Sequence, residues 1–267
     1  MSEARRPGLF PPLTPKYNKI EDFGLWWTES TQPFETRPTV VTMSDLESNL
    51  REPNANWIRR WQERQIGWHH VEFNQHLLNH WHALHMPPGS RVLAPLCGKS
   101  RDMLWLARRG YRIRGVELSP LAVEAFFEEQ GIKPERSPVG GYERWRSGPY
   151  ELYCGDIFDL GSLDNSDLDA VYDRASLIAL NPAQREVYAG LLEEVLPAKA
   201  RMLLVAMDYP QEEMPGPPYS VEEAEVRALF GERFSVTQLH SLDLLKESSR
   251  YGDRGVSRMQ EQVYLLK

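Results

Sequence analysis

The sequence predicts an α/β domain in which helices cover both faces of a doubly wound, mostly parallel sheet. After Gly89, short apolar segments alternate with amphipathic helical segments, which is the pattern of repeated β–α–β units. The chain has 267 residues, of which 41% are hydrophobic and 26% charged, a composition that suits one domain with a sizeable core. The last two predicted strands have little sequence between them, so we expect an antiparallel pair at one edge.

Seven strands are predicted, each a short run of mainly apolar or aromatic residues. They span residues 92–94, 111–116, 150–154, 170–172, 201–207, 234–239 and 261–266. The run RMLLVAM at 201–207 is apolar almost throughout, as expected for a strand that is buried on both faces.

Four helices are predicted between these strands. They span residues 99–109, 120–130, 182–196 and 220–230. Ser119 and Asn181 each precede a proline, which is the favoured pairing of an N-cap residue with proline at the first helical position. Ser220 and Glu223 have the spacing of a capping box.

The N-terminal part of the chain differs from the rest. Residues 1–50 are rich in Pro, Thr, Ser and Glu and show no sustained apolar period, which indicates an extended or partly disordered arm. Residues 51–267 are predicted to form a single domain. Its first part, about 56–86, carries an aromatic helical pattern that begins with Trp57 and Trp61.

Composition excludes several classes of protein. The net charge of −7 argues against a general nucleic-acid binder, which needs a basic surface. No segment approaches the roughly 20 apolar residues of a membrane span, and the N-terminus lacks the apolar run of a secretory signal. The two cysteines, Cys97 and Cys154, are too few for a disulfide framework, so we expect a cytoplasmic protein.

Six of the seven histidines fall between His69 and His85. The Cys and His residues lack the spacing of zinc ligands, and we expect no carboxylate partner near His76, His80 or His82. We therefore expect a polar helix face here and no metal site.

In doubly wound sheets, ligands bind at the carboxyl ends of the strands. The first predicted strand is followed by PLCGKS at 95–100, which holds a single glycine. It lacks the glycine pattern that lets a backbone approach a pyrophosphate, which disfavours a dinucleotide. A ligand without phosphate, such as S-adenosylmethionine, fits better, although an ordinary strand-to-helix turn remains an alternative.

Polar residues follow the next three strands. Glu117, 20 residues beyond Cys97, is placed to accept hydrogen bonds from both ribose hydroxyls; the alternative is a solvated acid before a helix. Asp156 could accept a hydrogen bond from the adenine amino group, with Ile157 packed against the ring. Alternatively, Asp156 could form an Asx turn.

The fourth predicted strand is followed by Asp173 and Arg174, which we expect to face the reacting centre. Arg174 could hold the methionine carboxylate or an anionic substrate through paired hydrogen bonds. The alternative is a local surface ion pair of little energetic value. The proline-rich loop at 215–219 is expected to form one wall of a substrate pocket.

Long motifs occur in order along about four-fifths of the chain, from Trp57 to Leu266. They are WIRRW, IGWH, PLCGKSRDMLWLARRG, GVELS, FFEEQ, LYCGDIFDL, VYDRASLIALNP, PGPPYSV and VYLL. Through them the chain resembles the thiopurine S-methyltransferase family, especially its bacterial members. The resemblance implies a Rossmann-like class I methyltransferase fold and methyl transfer from S-adenosylmethionine to a small thiol. The first 50 residues have no counterpart in it.

The resemblance also implies roles for individual residues. The positions that contact the cofactor correspond to Trp57, Trp61, Leu96, Glu117, Asp156, Ile157 and Arg174, and the positions beside the substrate correspond to Trp68 and Arg250. Some members carry serine where this chain has Asp156, and most carry phenylalanine where it has Trp68. Arg174 and Arg250 would position the substrate thiolate, no covalent nucleophile is expected, and the tryptophan-bearing helices would close as a lid.

Two alternatives stay open. The acceptor could be a small inorganic or volatile nucleophile: sulfide, methanethiol, a selenium or tellurium species, or a halide. The chain could also be a module that binds S-adenosylmethionine without turnover. In each case we expect a monomer whose partner is a small molecule and neither a nucleic acid nor a membrane.

Overall fold

The computed structural model describes residues 50–51, 53–247 and 252–267. Its strands are β1 (Arg91–Pro95), β2 (Arg112–Glu117), β3 (Glu135–Val139), β4 (Tyr142–Ser147), β5 (Tyr150–Cys154), β6 (Leu168–Arg174), β7 (Arg201–Asp208), β8 (Val236–Asp243) and β9 (Gln260–Leu266). Its helices are α1 (Asn54–Gln62), α2 (Gln75–His80), α3 (Asp102–Arg108), α4 (Pro120–Glu129), α5 (Pro182–Val195), α6 (Glu223–Phe230) and α7 (Leu244–Glu247). Of the predicted N-terminal arm, only Leu50 is among the described residues.

The strands form one sheet in the order β3-β4-β5-β2-β1-β6-β7-β9-β8. Strands β5, β2, β1, β6 and β7 pair in parallel, and β9 lies antiparallel between β7 and β8. The predicted parallel central strands and antiparallel edge pair are thus confirmed, although the sheet as a whole is mixed, because β3 with β4 and β4 with β5 also pair antiparallel. Because the chain runs from β1 to β2 on one side and later to β6 on the other, the strand order reverses between β1 and β6, where ligands bind in such sheets.

The sheet has nine strands, two more than predicted. The additional strands, β3 and β4, form an antiparallel hairpin in which Val139 pairs with Tyr142 across Gly140 and Gly141. Most of their side chains are exposed or half-buried, so an edge hairpin of this kind carries no continuous apolar run. The Gly-Gly pair between two strand-like segments was the available signal.

Two helices begin later than predicted. The α3 helix begins at Asp102, because the residues before it form a turn in which the Ser100 hydroxyl accepts a hydrogen bond from the Asp102 N–H at 3.2 Å. The predicted capping box at Ser220 is wrong. The Ser220 hydroxyl accepts from the Tyr209 N–H at 3.0 Å, and α6 begins at Glu223 without a side-chain cap.

The other two helix starts are confirmed. The α5 helix begins after Asn181, whose side chain forms a capping box with Gln184. The α4 helix begins after Ser119 with Pro120 in its first turn, although among the described residues the Ser119 hydroxyl makes no capping hydrogen bond. The proline therefore marks this start more reliably than the serine.

The core lies on both faces of the sheet. One cluster packs α2, α3 and α4 against the strands through residues such as Leu77, Met103 and Phe126. The other packs α5 and α6 against the opposite face through residues such as Leu192 and Phe230. These layers hold the carboxyl ends of the parallel strands in place, and the loops that follow them converge at one edge of the sheet.

Asp173 belongs to the second of these layers, so the prediction that it faces the reacting centre is wrong. Its side chain is fully buried and accepts a hydrogen bond from the Tyr188 hydroxyl at 2.7 Å. Burial raises the pKa of Asp173 to about 6. Arg174, the next residue along β6, projects to the other face, as alternation along a strand requires.

We expect Tyr188→Phe to lower the free energy of unfolding by roughly 1–3 kcal/mol at neutral pH, because the buried Asp173 carboxylate loses a donor. Asp173 protonates in the folded protein as the pH falls through about 6. The loss should therefore shrink in urea unfolding measured at about pH 5, where the neutral carboxyl needs the donor less.

Tyr264→Phe is the matched control for this prediction. The Tyr264 hydroxyl is also buried but has no hydrogen-bond partner among the described residues, so its removal should cost little at either pH. A loss in Tyr188→Phe that equals that of Tyr264→Phe, or that does not change with pH, would contradict the assignment.

Candidate active site

A cavity of about 840 Å³ opens at the carboxyl ends of the parallel strands. This volume lies within the usual range for a small-molecule site. Eight of the nine residues predicted for the site line it: Trp57, Trp61, Trp68, Leu96, Glu117, Asp156, Ile157 and Arg174. The ninth, Arg250, lies outside the described residues. Residues separated by more than 100 positions in sequence thus meet around one space.

The loop after β1 is tightly turned. Leu96 and Gly98 adopt positive φ angles of 44° and 52°, a conformation that is uncommon for leucine. A Cβ atom at Gly98 would lie 3.3 Å from Cζ2 of Trp61, so this position requires glycine both for its backbone and for the approach of the ring. The loop and helix α1 are therefore packed directly against each other.

Cys97 lies within the same loop and is buried. Burial, with a smaller contribution from the nearby Glu117, raises the pKa of its thiol well above the usual range. The thiol therefore stays protonated and packs as a small apolar group, and it lacks the thiolate character of a nucleophile.

Glu117 is buried at the end of β2, which excludes the alternative of a solvated acid. Its Oε2 accepts the Gly98 N–H at 2.8 Å, and its Oε1 accepts the Ser119 N–H at 2.7 Å. Burial raises the pKa of Glu117, and these backbone donors oppose the rise. Because each carboxylate oxygen has further acceptor capacity, Glu117 can hold the loop and still accept hydrogen bonds from a ligand.

Asp156 follows β5 and starts a 3-10 turn, where its side chain accepts the Phe158 N–H at 3.0 Å. This is the Asx geometry that the sequence allowed. Its second oxygen, Oδ2, accepts hydrogen bonds from Asn54 at 2.7 Å and from Arg51 at 3.2 Å. No local pattern indicates these two contacts, which join the start of α1 to a residue that lines the cavity.

Three tryptophans form one cluster beside the cavity. The Trp68 ring packs edge-to-face on Trp57, with ring centroids 5.3 Å apart, and on Trp61, at 6.1 Å. The Arg60 guanidinium lies 5.2 Å from the centre of the Trp57 ring. The predicted tryptophans thus converge on the site, and the closing motion of a lid remains a prediction.

Arg174 faces the cavity from the end of β6, and its ion-pair partner is Asp102, at 3.7 Å. Asp102 is almost fully buried. It accepts the Tyr172 hydroxyl at 2.9 Å and the Asn74 N–H at 2.8 Å. Sequence reasoning missed this carboxylate, whose only signal was its place at the start of the helix that follows the β1 loop.

The expectation that the histidine-rich segment has no carboxylate nearby is wrong. His76 Nε2 lies 2.7 Å from Glu261 Oε2, and both residues line the cavity. The two are 185 positions apart in sequence, so only the fold brings them together. Within the part of the chain that the structure describes, no group of three or more His, Cys, Asp or Glu residues could hold a metal ion.

None of the described helices has the length and apolar character needed to cross a membrane. Among solved structures, the chain is similar to the 1,6-didemethyltoxoflavin-N1-methyltransferase of Burkholderia thailandensis, with a TM-score of 0.55 at 12% identity, covering 89% of this chain and 93% of that one. It is also similar to phosphoethanolamine N-methyltransferase 2 of Haemonchus contortus, with a TM-score of 0.55 at 12% identity, covering 85% of this chain and 60% of that one. These likenesses support the Rossmann-like methyltransferase fold.

Relatives found by sequence share a much higher identity with this chain than these solved structures do. The thiopurine S-methyltransferase of Nitrosospira multiformis is 48% identical over 210 residues, which cover 79% of this chain and 96% of the relative. That of Pseudomonas entomophila is 49% identical over 212 residues, which cover 79% and 98%. The model of the family described as Thiopurine S-methyltransferase (TPMT) matches residues 52–267. With this match over the whole domain that carries the cavity, the chain belongs to the thiopurine S-methyltransferase family of S-adenosylmethionine-dependent enzymes.

Proposed function

We propose that this enzyme methylates the sulfur of a small aromatic thiol of the thiopurine kind. The observation that carries the proposal is the juxtaposition of Glu117, Asp156 and Arg174 around one cavity that three tryptophans border. Glu117 and Asp156 suit the binding of a nucleoside, and Arg174 suits the binding of an anion. The names of the sequence relatives agree with a thiol acceptor.

The residues fit S-adenosylmethionine. The β1 loop has one glycine and offers no cradle for a pyrophosphate. Glu117 would bind the ribose hydroxyls, and Asp156 with the buried Ile157 would bind the adenine. Leu96 would contact the cofactor from the β1 loop, while Trp57 and Trp61 would cover it.

The bound cofactor supplies a methyl group that its sulfonium has already activated. The task left to the protein is to align the acceptor and to exclude water. The tryptophan cluster suits this task, since it borders the cavity with apolar surface. Trp68, Pro217 and Pro218 also line the cavity and would form the acceptor wall.

Arg174 would hold an anion at this wall. A positive charge lowers the pKa of a nearby thiol and thereby favours the thiolate. Asp102 orients the guanidinium from 3.7 Å, a distance that leaves its donors available to the cofactor carboxylate or to the acceptor. Through the family resemblance, Arg250 is the second residue that we propose for this role.

A side-by-side acceptor screen with labelled S-adenosylmethionine tests the proposed function. 6-Mercaptopurine, thiophenol, sulfide and iodide would be compared at equal concentration near neutral pH. We expect the aromatic thiols to give the highest kcat/KM, because the cavity is large and borders on aromatic surface. Turnover confined to sulfide or iodide, or cofactor binding without methylation of any acceptor, would contradict it.

Arg174→Gln should reduce kcat/KM for an ionised aromatic thiol by about 10²-fold, the lower end of the loss seen when one preorganised donor is removed from an active site. Arg112→Gln is the control, since Arg112 is exposed at the end of β2 that points away from the cavity. Steady-state kinetics on both variants decide the matter. Full activity in Arg174→Gln would remove this residue from the assigned role.

A further inference from the structure

The proposed function makes no use of the pair formed by His76 and Glu261. The two side chains meet at 2.7 Å between Nε2 and Oε2, and both reach the cavity. Glu261 lies near the start of β9, in register with Met207 of β7, which also lines the cavity. The carboxylate therefore stands at the same edge of the sheet as the predicted acceptor wall.

Glu261 also faces the group of residues around Arg174. Burial, followed by the charges of Asp102 and more weakly Glu261, raises the pKa of Tyr172 well above its usual range. Tyr172 donates to Asp102, which pairs with Arg174. Within the described residues, the second oxygen of Glu261, Oε1, accepts no hydrogen bond from the protein, so it can accept a proton from a ligand.

Two further imidazole rings, of His80 and His240, pack beside this pair and are increasingly exposed to solvent. His76 is buried, His80 is half-buried and His240 is exposed. Their ring centroids are 6.2 Å apart for His76 and His80, 5.6 Å for His76 and His240, and 5.4 Å for His80 and His240. Burial and then the neighbouring His240, His76 and His82 lower the pKa of His80. His80 is therefore neutral near pH 7, which is the form that can accept a proton.

Methyl transfer to a neutral thiol has to release one proton. Aromatic thiols are acidic and arrive largely as thiolates, but alkyl thiols, with pKa values of about 8.5 or above, arrive protonated at neutral pH. On the basis of the proposed thiol methylation, we propose that Glu261, paired with His76, accepts the proton of acceptors that bind as neutral thiols, and that His80 and His240 pass it to solvent.

The bonds and charges of this step balance. The S–H bond breaks and its electron pair stays on sulfur, which forms the new bond to the methyl carbon. The bond between that carbon and the sulfonium breaks, and its electrons remain on the leaving sulfur. The proton passes to Glu261, leaving the pair with His76 one proton richer until the histidine cluster releases that proton to water. Tyr172 feels the charge of Glu261, and Asp102 and Arg174 lie beyond it; His80 and His240 pack beside His76, and His82 acts on His80.

The test compares two thiols of different acidity with wild-type enzyme and with Glu261→Gln. 2-Mercaptoethanol is mostly protonated near neutral pH, whereas 4-nitrothiophenol is ionised. Because loss of a general base typically costs about 10²-fold or more, the fall in kcat/KM should be at least about tenfold greater for 2-mercaptoethanol. His76→Asn should show the same preference, and it supplies a second variant if Glu261→Gln folds poorly.

The pH profile gives a further readout that a structural role would not change. For 2-mercaptoethanol, wild-type kcat/KM should level off below the pKa of the thiol, whereas in Glu261→Gln it should rise until that pKa is reached. His85→Asn is the control, since His85 is exposed, has a left-handed backbone that asparagine tolerates, and lies outside the cavity.

The outcomes separate this inference from the proposed function. A wild-type enzyme that methylates neither thiol overturns the proposed function and this inference with it. Methylation of both thiols by wild-type enzyme, with equal losses or no losses in Glu261→Gln and His76→Asn, overturns this inference alone. A selective loss for the protonated thiol together with the shifted pH profile supports it.

Discussion

The buried carboxylate of Glu117 is the interaction on which the site depends. It accepts the backbone N–H of Gly98 from one loop and that of Ser119 from another, and so it joins the carboxyl ends of β1 and β2. Hydrogen bonds to a charged group contribute about 1.5–3 kcal/mol each, which offsets part of the cost of burying the charge. The same glycine has a positive φ angle and lies close to the Trp61 ring, so its hydrogen bond to Glu117 also holds the point where the loop meets α1.

A second constraint comes from residues before β1, which reach the loops through polar contacts. Asn54 and Arg51 bind Asp156 at one end of the cavity, while the backbone of Asn74 binds Asp102 near Arg174. The tryptophans lie between these two attachments in the chain. In the proposed function the cofactor would bind Asp156, which already anchors the segment before β1, so we expect occupancy of the cavity and the position of this segment to be linked.

Sequence reasoning succeeded where a local pattern carried the information. Alternating apolar and amphipathic segments gave the parallel sheet, and strand ends gave Glu117 and Asp156 as residues of one site. It failed where tertiary contacts decide: Asp102 with Arg174, and His76 with Glu261, are distant in sequence and leave no local signal. The β3–β4 hairpin was not predicted because its strands are polar. The capping box at Ser220 was wrong because the Ser220 hydroxyl accepts a hydrogen bond from the Tyr209 N–H instead.

The most direct test of the account is calorimetric titration of S-adenosylhomocysteine into wild-type enzyme and Glu117→Gln. Glutamine keeps the size of the side chain but loses the charge and one acceptor oxygen, so affinity should fall about tenfold or more, equivalent to at least about 1.4 kcal/mol. Glu124→Gln, which changes a half-exposed carboxylate on α4, should bind as wild type does. Unchanged affinity in a folded Glu117→Gln variant would contradict the central place given to this carboxylate.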